Sequence, residues 1–127
     1  MYFTGVYEYS MDDRGRIPLP PRFRRDLQDG VVLTQGTPDH CLRVYPSAKF
    51  DEMAALIMAQ PSTTEVGRVG RRVFFSGSHP TELDGQGRVL VPPTMRRWAN
   101  LDGDVVVTGS GDSMEIWNAS EFGESRA

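Results

Sequence analysis

The chain carries an internal repeat, and that repeat limits what it can fold into. Residues 11–25 read MDDRGRIPLPPRFRR and residues 83–97 read LDGQGRVLVPPTMRR, at a constant offset of 72. Asp12, Gly15 and Arg16 match Asp84, Gly87 and Arg88. Pro20-Pro21 matches Pro92-Pro93, and Arg24-Arg25 matches Arg96-Arg97. The likeness continues downstream: Val31-Val32-Leu33-Thr34 resembles Val105-Val106-Val107-Thr108, and Leu42-Arg43-Val44-Tyr45 with Phe50 resembles Met114-Glu115-Ile116-Trp117 with Phe122. Identities fall on turn residues as well as apolar ones, so each half repeats one supersecondary unit. A half of about 60 residues makes a thin core alone. The two halves are therefore expected to pack into one pseudo-two-fold β-barrel with peripheral helices, an α+β fold of tandem repeats.

Local chemistry sketches each half. Tyr2 to Met11 and Arg16 to Leu19 read as the two strands of a hairpin whose turn is Asp13-Arg14-Gly15. Such a three-residue loop wants glycine at its left-handed position, which Gly15 and Gly87 supply. The prolines end the second strand, and Pro21 or Pro93 suits the first turn of a short helix, where a missing N–H costs little. Strands are expected near 31–35 and 41–45, and again near 104–108 and 113–117. Pro46-Ser47 opens a helix to about Ala59, with Phe50, Met53, Ala54, Ile57 and Met58 on one face. The first repeat is placed at 1–60, a connecting segment with a helix over Glu65–Phe75 at 61–77, and the second repeat at 78–127. Gly123 to Ala127 are expected to fray.

The net charge of −3 hides an uneven distribution. All basic residues except Lys49 are arginines. Arg14, Arg16, Arg22, Arg24 and Arg25 form one acid-free block, Arg88, Arg96 and Arg97 a second, and Arg68, Arg71 and Arg72 a third. Arginine suits bidentate contact with phosphate and with guanine edges. A hairpin can enter a DNA major groove, where Arg16 and Arg88 would meet guanine O6 and N7 while Asp12 and Asp84 hold each guanidinium flat. Arg14 and Gln86, at the loop tips, would reach base edges or phosphate. Arg24, Arg25, Arg96 and Arg97 would touch phosphates, which position a protein without reading sequence. A plainer alternative stands beside this: a cross-strand salt bridge that only pins the hairpin.

Other chemistries find little support. Asp39-His40-Cys41 are sequence neighbours, and Cys-His catalysis needs spatial adjacency, usually between distant residues. His40 reads as a surface loop residue and Cys41 as a small strand-start residue. Two isolated histidines and one cysteine make no metal set. Gly109-Ser110-Gly111-Asp112 is a hairpin turn, without the lysine and helix of a phosphate-binding loop. No enzyme, cofactor or metal is expected. No apolar run reaches the roughly 18 residues of a membrane span. The opening Met1-Tyr2-Phe3-Thr4-Gly5 has no basic stretch followed by an apolar one, so a cytoplasmic protein is expected.

The stretch Gly5 to Arg16 with Pro20-Pro21-Arg22-Phe23-Arg24 resembles the first half of MraZ family proteins. Glu82 to Pro93 resembles the second, and Glu115-Ile116-Trp117 fits the ending. Family members often carry lysine where Arg14 and Gln86 stand here. The resemblance covers essentially the whole chain. It implies two AbrB-like swapped-hairpin repeats and a role as transcriptional regulator. The typical role is repression of the division and cell wall gene cluster that includes the family member's own gene. It also implies binding to promoter DNA with direct repeats, a ring-shaped homo-oligomer, and association with the nucleoid. The family's motif falls on Asp12 and Arg16 and on Asp84 and Arg88. A protein-binding, antitoxin-like module on the same fold is the competing reading.

Overall fold

A computed structural model describes residues 2–36 and 38–125. Eight strands and four α-helices follow in order: β1 (Val6–Ser10), β2 (Arg16–Pro18), β3 (Val31–Gln35), β4 (Leu42–Pro46), α1 (Ser47–Met58), α2 (Glu65–Ser76), β5 (Ser78–Thr81), β6 (Arg88–Leu90), α3 (Pro93–Trp98), β7 (Asp104–Gly109), β8 (Met114–Asn118) and α4 (Ala119–Ser125). Between β2 and β3 the chain makes two 3-10 turns, Pro21–Phe23 and Arg25–Leu27, which bury Phe23 and Leu27. Pro21 and Pro93 start their helical turns, as the sequence suggests. The β3, β4, β7 and β8 strands and α1 fall within a residue or two of their expected places. The connecting helix forms as α2, capped by Thr64, whose Oγ1 accepts from the Gly67 N–H at 3.0 Å.

The hairpin expectation is corrected. β1 does not pair with β2. It pairs antiparallel with β7, Val6 opposite Thr108 and Ser10 opposite Asp104, while β2 pairs antiparallel with β6. In the same way β5 leaves β6 and pairs with β3. The turn itself is local, but the chain diverges on either side of it. The prolines do not decide this, since Leu90 keeps the N–H that Pro18 lacks and β5 and β6 part all the same. Crossing over lets β1 complete the edge beside β7 and brings Ile17 and Val89 face to face, both fully buried. The segment expected to fray begins in the last turn of a helix and is exposed. Gly123 to Ser125 lie in α4, whose Glu121 N–H is capped by Asn118 Oδ1 at 3.0 Å and whose Phe122 packs on Trp117. Residues 126 and 127 lie outside the described residues.

Six strands form one antiparallel sheet in the order β1-β7-β8-β4-β3-β5, and β2 and β6 form a separate ribbon. The hydrogen bonding does not close into the expected barrel, since β1 and β5 end the order. That order reads the same from either end when each strand is exchanged for its repeat counterpart. Two registers centre on residues 72 apart: Ile17 faces Val89 in the ribbon, and Arg43 faces Glu115 between β4 and β8. Arg43 Nη1 donates to Glu115 Oε2 at 3.1 Å, so counterpart positions carry opposite charges where the halves meet. The main core draws on both halves, from Phe3, Ile17 and Leu33 to Val89, Val107 and Ile116. A second cluster seats α1 and α2 on the sheet through Val32, Tyr45 and Phe50, with Phe50 stacked on Phe74 at 5.0 Å.

Candidate nucleic-acid interface

Both loops of the repeat are built alike. In the first, Asp12 Oδ1 accepts from the Arg14 and Arg16 amides at 3.0 and 2.9 Å, and Asp12 Oδ2 accepts from Arg16 Nε at 2.6 Å. In the second, Asp84 Oδ1 accepts from the Gln86 and Arg88 amides, both at 2.9 Å, and Asp84 Oδ2 accepts from Arg88 Nε at 2.8 Å. Two backbone bonds close each loop: the Gly15 N–H donates to Asp12 O and the Asp12 N–H to Arg16 O, with the same pair at Gly87, Asp84 and Arg88. Gly15 and Gly87 sit at φ 86° and 74°, the left-handed region the turn requires. The amide bonds, led by the one from the arginine, hold both carboxyls below their ordinary value of 3.8. Each carboxylate takes its own arginine by the Nε edge, so the latch bond itself does not use the terminal nitrogens.

The ribbon sets the loops side by side. Gly15 O accepts from the Val91 N–H at 2.9 Å, and Gly87 O accepts from the Leu19 N–H at 3.1 Å. Hydrogen-bonded pairs alternate along an antiparallel ladder, so Arg16–Leu90 and Pro18–Arg88 are the close, non-bonded pairs between them. Pro18 thus occupies a place where no N–H is needed. Side chains alternate as well: Ile17 and Val89 point into the core, while Arg16, Pro18, Arg88 and Leu90 share the outward face. Arg88 Nη1 lies 3.9 Å from Asp12 Oδ2, the oxygen that Arg16 also holds. Both guanidinium groups therefore gather around one carboxylate.

The helical arginines divide into two kinds. Arg96 lies over Gly15, where an added Cβ would come within 2.5 Å of its Cζ, and Arg96 Nε donates to Val91 O at 2.8 Å. Arg24 lies over Gly87 in the same crossed way, with its buried Nε lacking a hydrogen-bond partner among the described residues. Each half thus holds down the loop of the other with an arginine. Arg25 and Arg97 are exposed, as are Arg14 and Gln86 at the loop tips. Two members of the third cluster are spent on structure: Arg71 Nη2 donates to Met58 O and Gln60 O, each at 3.0 Å, and Arg68 Nη1 to Ser62 O at 3.3 Å, while Arg72 is exposed.

The arginines of this face are named by the sequence, but Pro18 and Leu90 are not, because strands of 3 residues are too short for a period-two alternation to stand out. The sequence also misses the crossing of Arg24 and Arg96, for which the chain offers no local signal. Cys41 is buried with Val106 and Trp117, and burial pushes its thiol up to about 12, so it stays a thiol near neutral pH. His40 is exposed and stacks on Trp98, ring centres 4.7 Å apart. Among the described residues, no three His, Cys, Asp or Glu side chains gather as metal ligands, and no helix is long and apolar enough to cross a membrane.

Fold and site define an α+β protein that presents two aspartate-latched arginine loops on one ribbon face. The family model described as "MraZ protein, putative antitoxin-like" matches residues 2–72 and 74–125. A protein of Moorella thermoacetica is 43% identical over 122 residues, 96% of this chain and 85% of its own. One of Saccharopolyspora erythraea is 40% identical over 120 residues, 94% and 83%, and one of Salinispora tropica 42% over 116, 91% and 81%. All three are named transcriptional regulator MraZ. This chain belongs to the MraZ family.

Proposed function

We propose that this protein is a sequence-specific DNA-binding transcriptional regulator that reads DNA with the outward face of the β2–β6 ribbon. The observation that carries the reading is the pair of like-built latches, each holding its arginine by Nε, which set Arg16 and Arg88 on one face around the Asp12 carboxylate. A guanidinium fork matches guanine O6 and N7 in the major groove. Arg14, Arg25, Arg97 and Gln86 flank the ribbon as phosphate or base-edge contacts. Arg24 and Arg96 serve the same site by holding the loops, and Gly15 and Gly87 by permitting the turn.

The family resemblance supports the finer points of the proposal. The regulated DNA is the promoter of the division and cell wall cluster that includes its own gene, the effect is repression, and the site holds direct repeats. The protein works as a ring-shaped homo-oligomer on the nucleoid. Val66, Val69 and Val73 stand exposed along α2, with Leu56 and Met58 on α1, and offer an apolar surface for self-association. A ring would add weak contacts through multivalency. Residues 1–60 and 78–127 act as the two AbrB-like repeats of one pseudo-two-fold unit, joined by 61–77. The second reading, an antitoxin-like protein-binding module, rests on the family description.

The double substitution of Arg16→Ala with Arg88→Ala tests the proposal. Both side chains are half-buried and bond, among the described residues, only to Asp12 and Asp84 at the loops, so the core is untouched and folding and assembly should survive while binding to the DNA upstream of its gene is lost. Unchanged affinity would refute the assignment and favour the protein-binding reading.

A further inference from the structure

We propose that Leu90 is a base-reading residue that packs on the C5-methyl of a thymine beside the guanine taken by Arg16. This rests on the DNA-reading proposal and deepens it. Leu90 is 52% exposed, a large apolar side chain on the face that carries both latched arginines. It borders a shallow depression that Arg14 and Arg96 share with Val91, Pro92 and Pro93, so an apolar patch sits beside two cations. Its cross-strand partner is Arg16, in a close non-bonded pair with Cα atoms about 4.5 Å apart. That separation is near the rise of about 3.4 Å between base pairs. A fork on one guanine therefore brings Leu90 over the neighbouring pair. The thymine methyl is the apolar feature that base edges offer in the major groove. A leucine gains nothing from phosphate, so its partner on this face is that methyl.

The counterpart of Leu90 is Pro18, opposite Arg88 and only half-exposed. Proline has a short, fixed ring where leucine has a flexible reach. The two loops therefore read unequal steps, guanine with thymine at Arg16 and guanine alone at Arg88. The repeat is symmetric in its arginines and asymmetric beside them, which gives the bound site a direction.

The test begins with selection of sites from a random duplex library by the full chain. The selected duplex is then remade with deoxyuridine in place of each thymine, one at a time. The expected result is one thymine, next to a required guanine, whose methyl loss weakens binding about fourfold, the burial of one methylene-sized group. Leu90→Ala should bind the thymine and deoxyuridine duplexes alike, while Leu90→Met should restore the difference. Leu90 is exposed, so neither variant should disturb folding. If the wild-type chain selects guanine-dependent sites in which no thymine responds, or if Leu90→Ala keeps the response, the Leu90 assignment is overturned and the arginine reading stands. If the wild-type chain selects no sequence at all, both fall.

Discussion

Alanine at position 87 tests the crossed packing of the two halves. Gly87 sits at φ 74°, and a Cβ built there would fall on the Arg24 side chain reaching over from the other half. Gly103 is the control, at φ 69° with nothing within 4 Å of its would-be Cβ. Gly103→Ala bears the left-handed backbone penalty alone, about 1–2 kcal/mol. Gly87→Ala bears that penalty and an overpacking cost of about 1–3 kcal/mol, because the half-buried guanidinium must move. The total is about 2–5 kcal/mol. Urea denaturation should thus show a clearly larger loss for Gly87→Ala. In an Arg24→Ala background the excess should vanish, a coupling that a double-mutant cycle reads directly. Equal losses at 87 and 103, or simple additivity with Arg24→Ala, would refute the clamp.

Four further outcomes are expected. Ile17→Ala, which hollows the ribbon's inner side, should destabilise by about 2–5 kcal/mol in the same assay. Glu115→Arg sets two arginines opposite one another between β4 and β8 and should cost about 1 kcal/mol for the like-charge pair, a part that Arg43→Glu restores, while the bond that Trp117 Nε1 donates to Glu115 Oε1 stays lost. The Asp12 and Asp84 carboxyls are held below 3.8, so their contribution to stability is present above that pH and lost as pH falls through the lower folded value. The Arg16 and Arg88 amide NMR signals should stay constant from neutral pH to about 5 and move only below the ordinary carboxylate range. Cys41 should resist a thiol-reactive disulfide reagent at pH 8 in the folded protein and react on unfolding, its thiol being buried and pushed up to about 12.

The sequence was most informative where physics is local. The Asp-x-x-x-Arg latch, the left-handed glycines and the proline that opens each helical turn depend on neighbours within a few residues. All of them form as the spacing suggests. Strand partnership was not legible, because a tight turn normally implies a hairpin. The choice of β7 over β2 for β1 is made by burial across the whole molecule, where crossing over buries Ile17 against Val89. The roles of the arginines were legible only in part. Arg24 and Arg25 are adjacent and chemically identical, yet one is half-buried over Gly87 and the other exposed. Only the three-dimensional path of the opposite loop separates them. The exposure of Leu90 was hidden for a related reason, since a three-residue strand is too short for its alternation to stand out.

Binding of the purified protein to the DNA upstream of its own gene, against a scrambled duplex of equal length at two salt concentrations, tests the central claim most directly. The account predicts preference for the native DNA at both concentrations and a steep loss of affinity with salt, as arginines displace counterions from phosphates. Equal binding to both duplexes, or none, would contradict it.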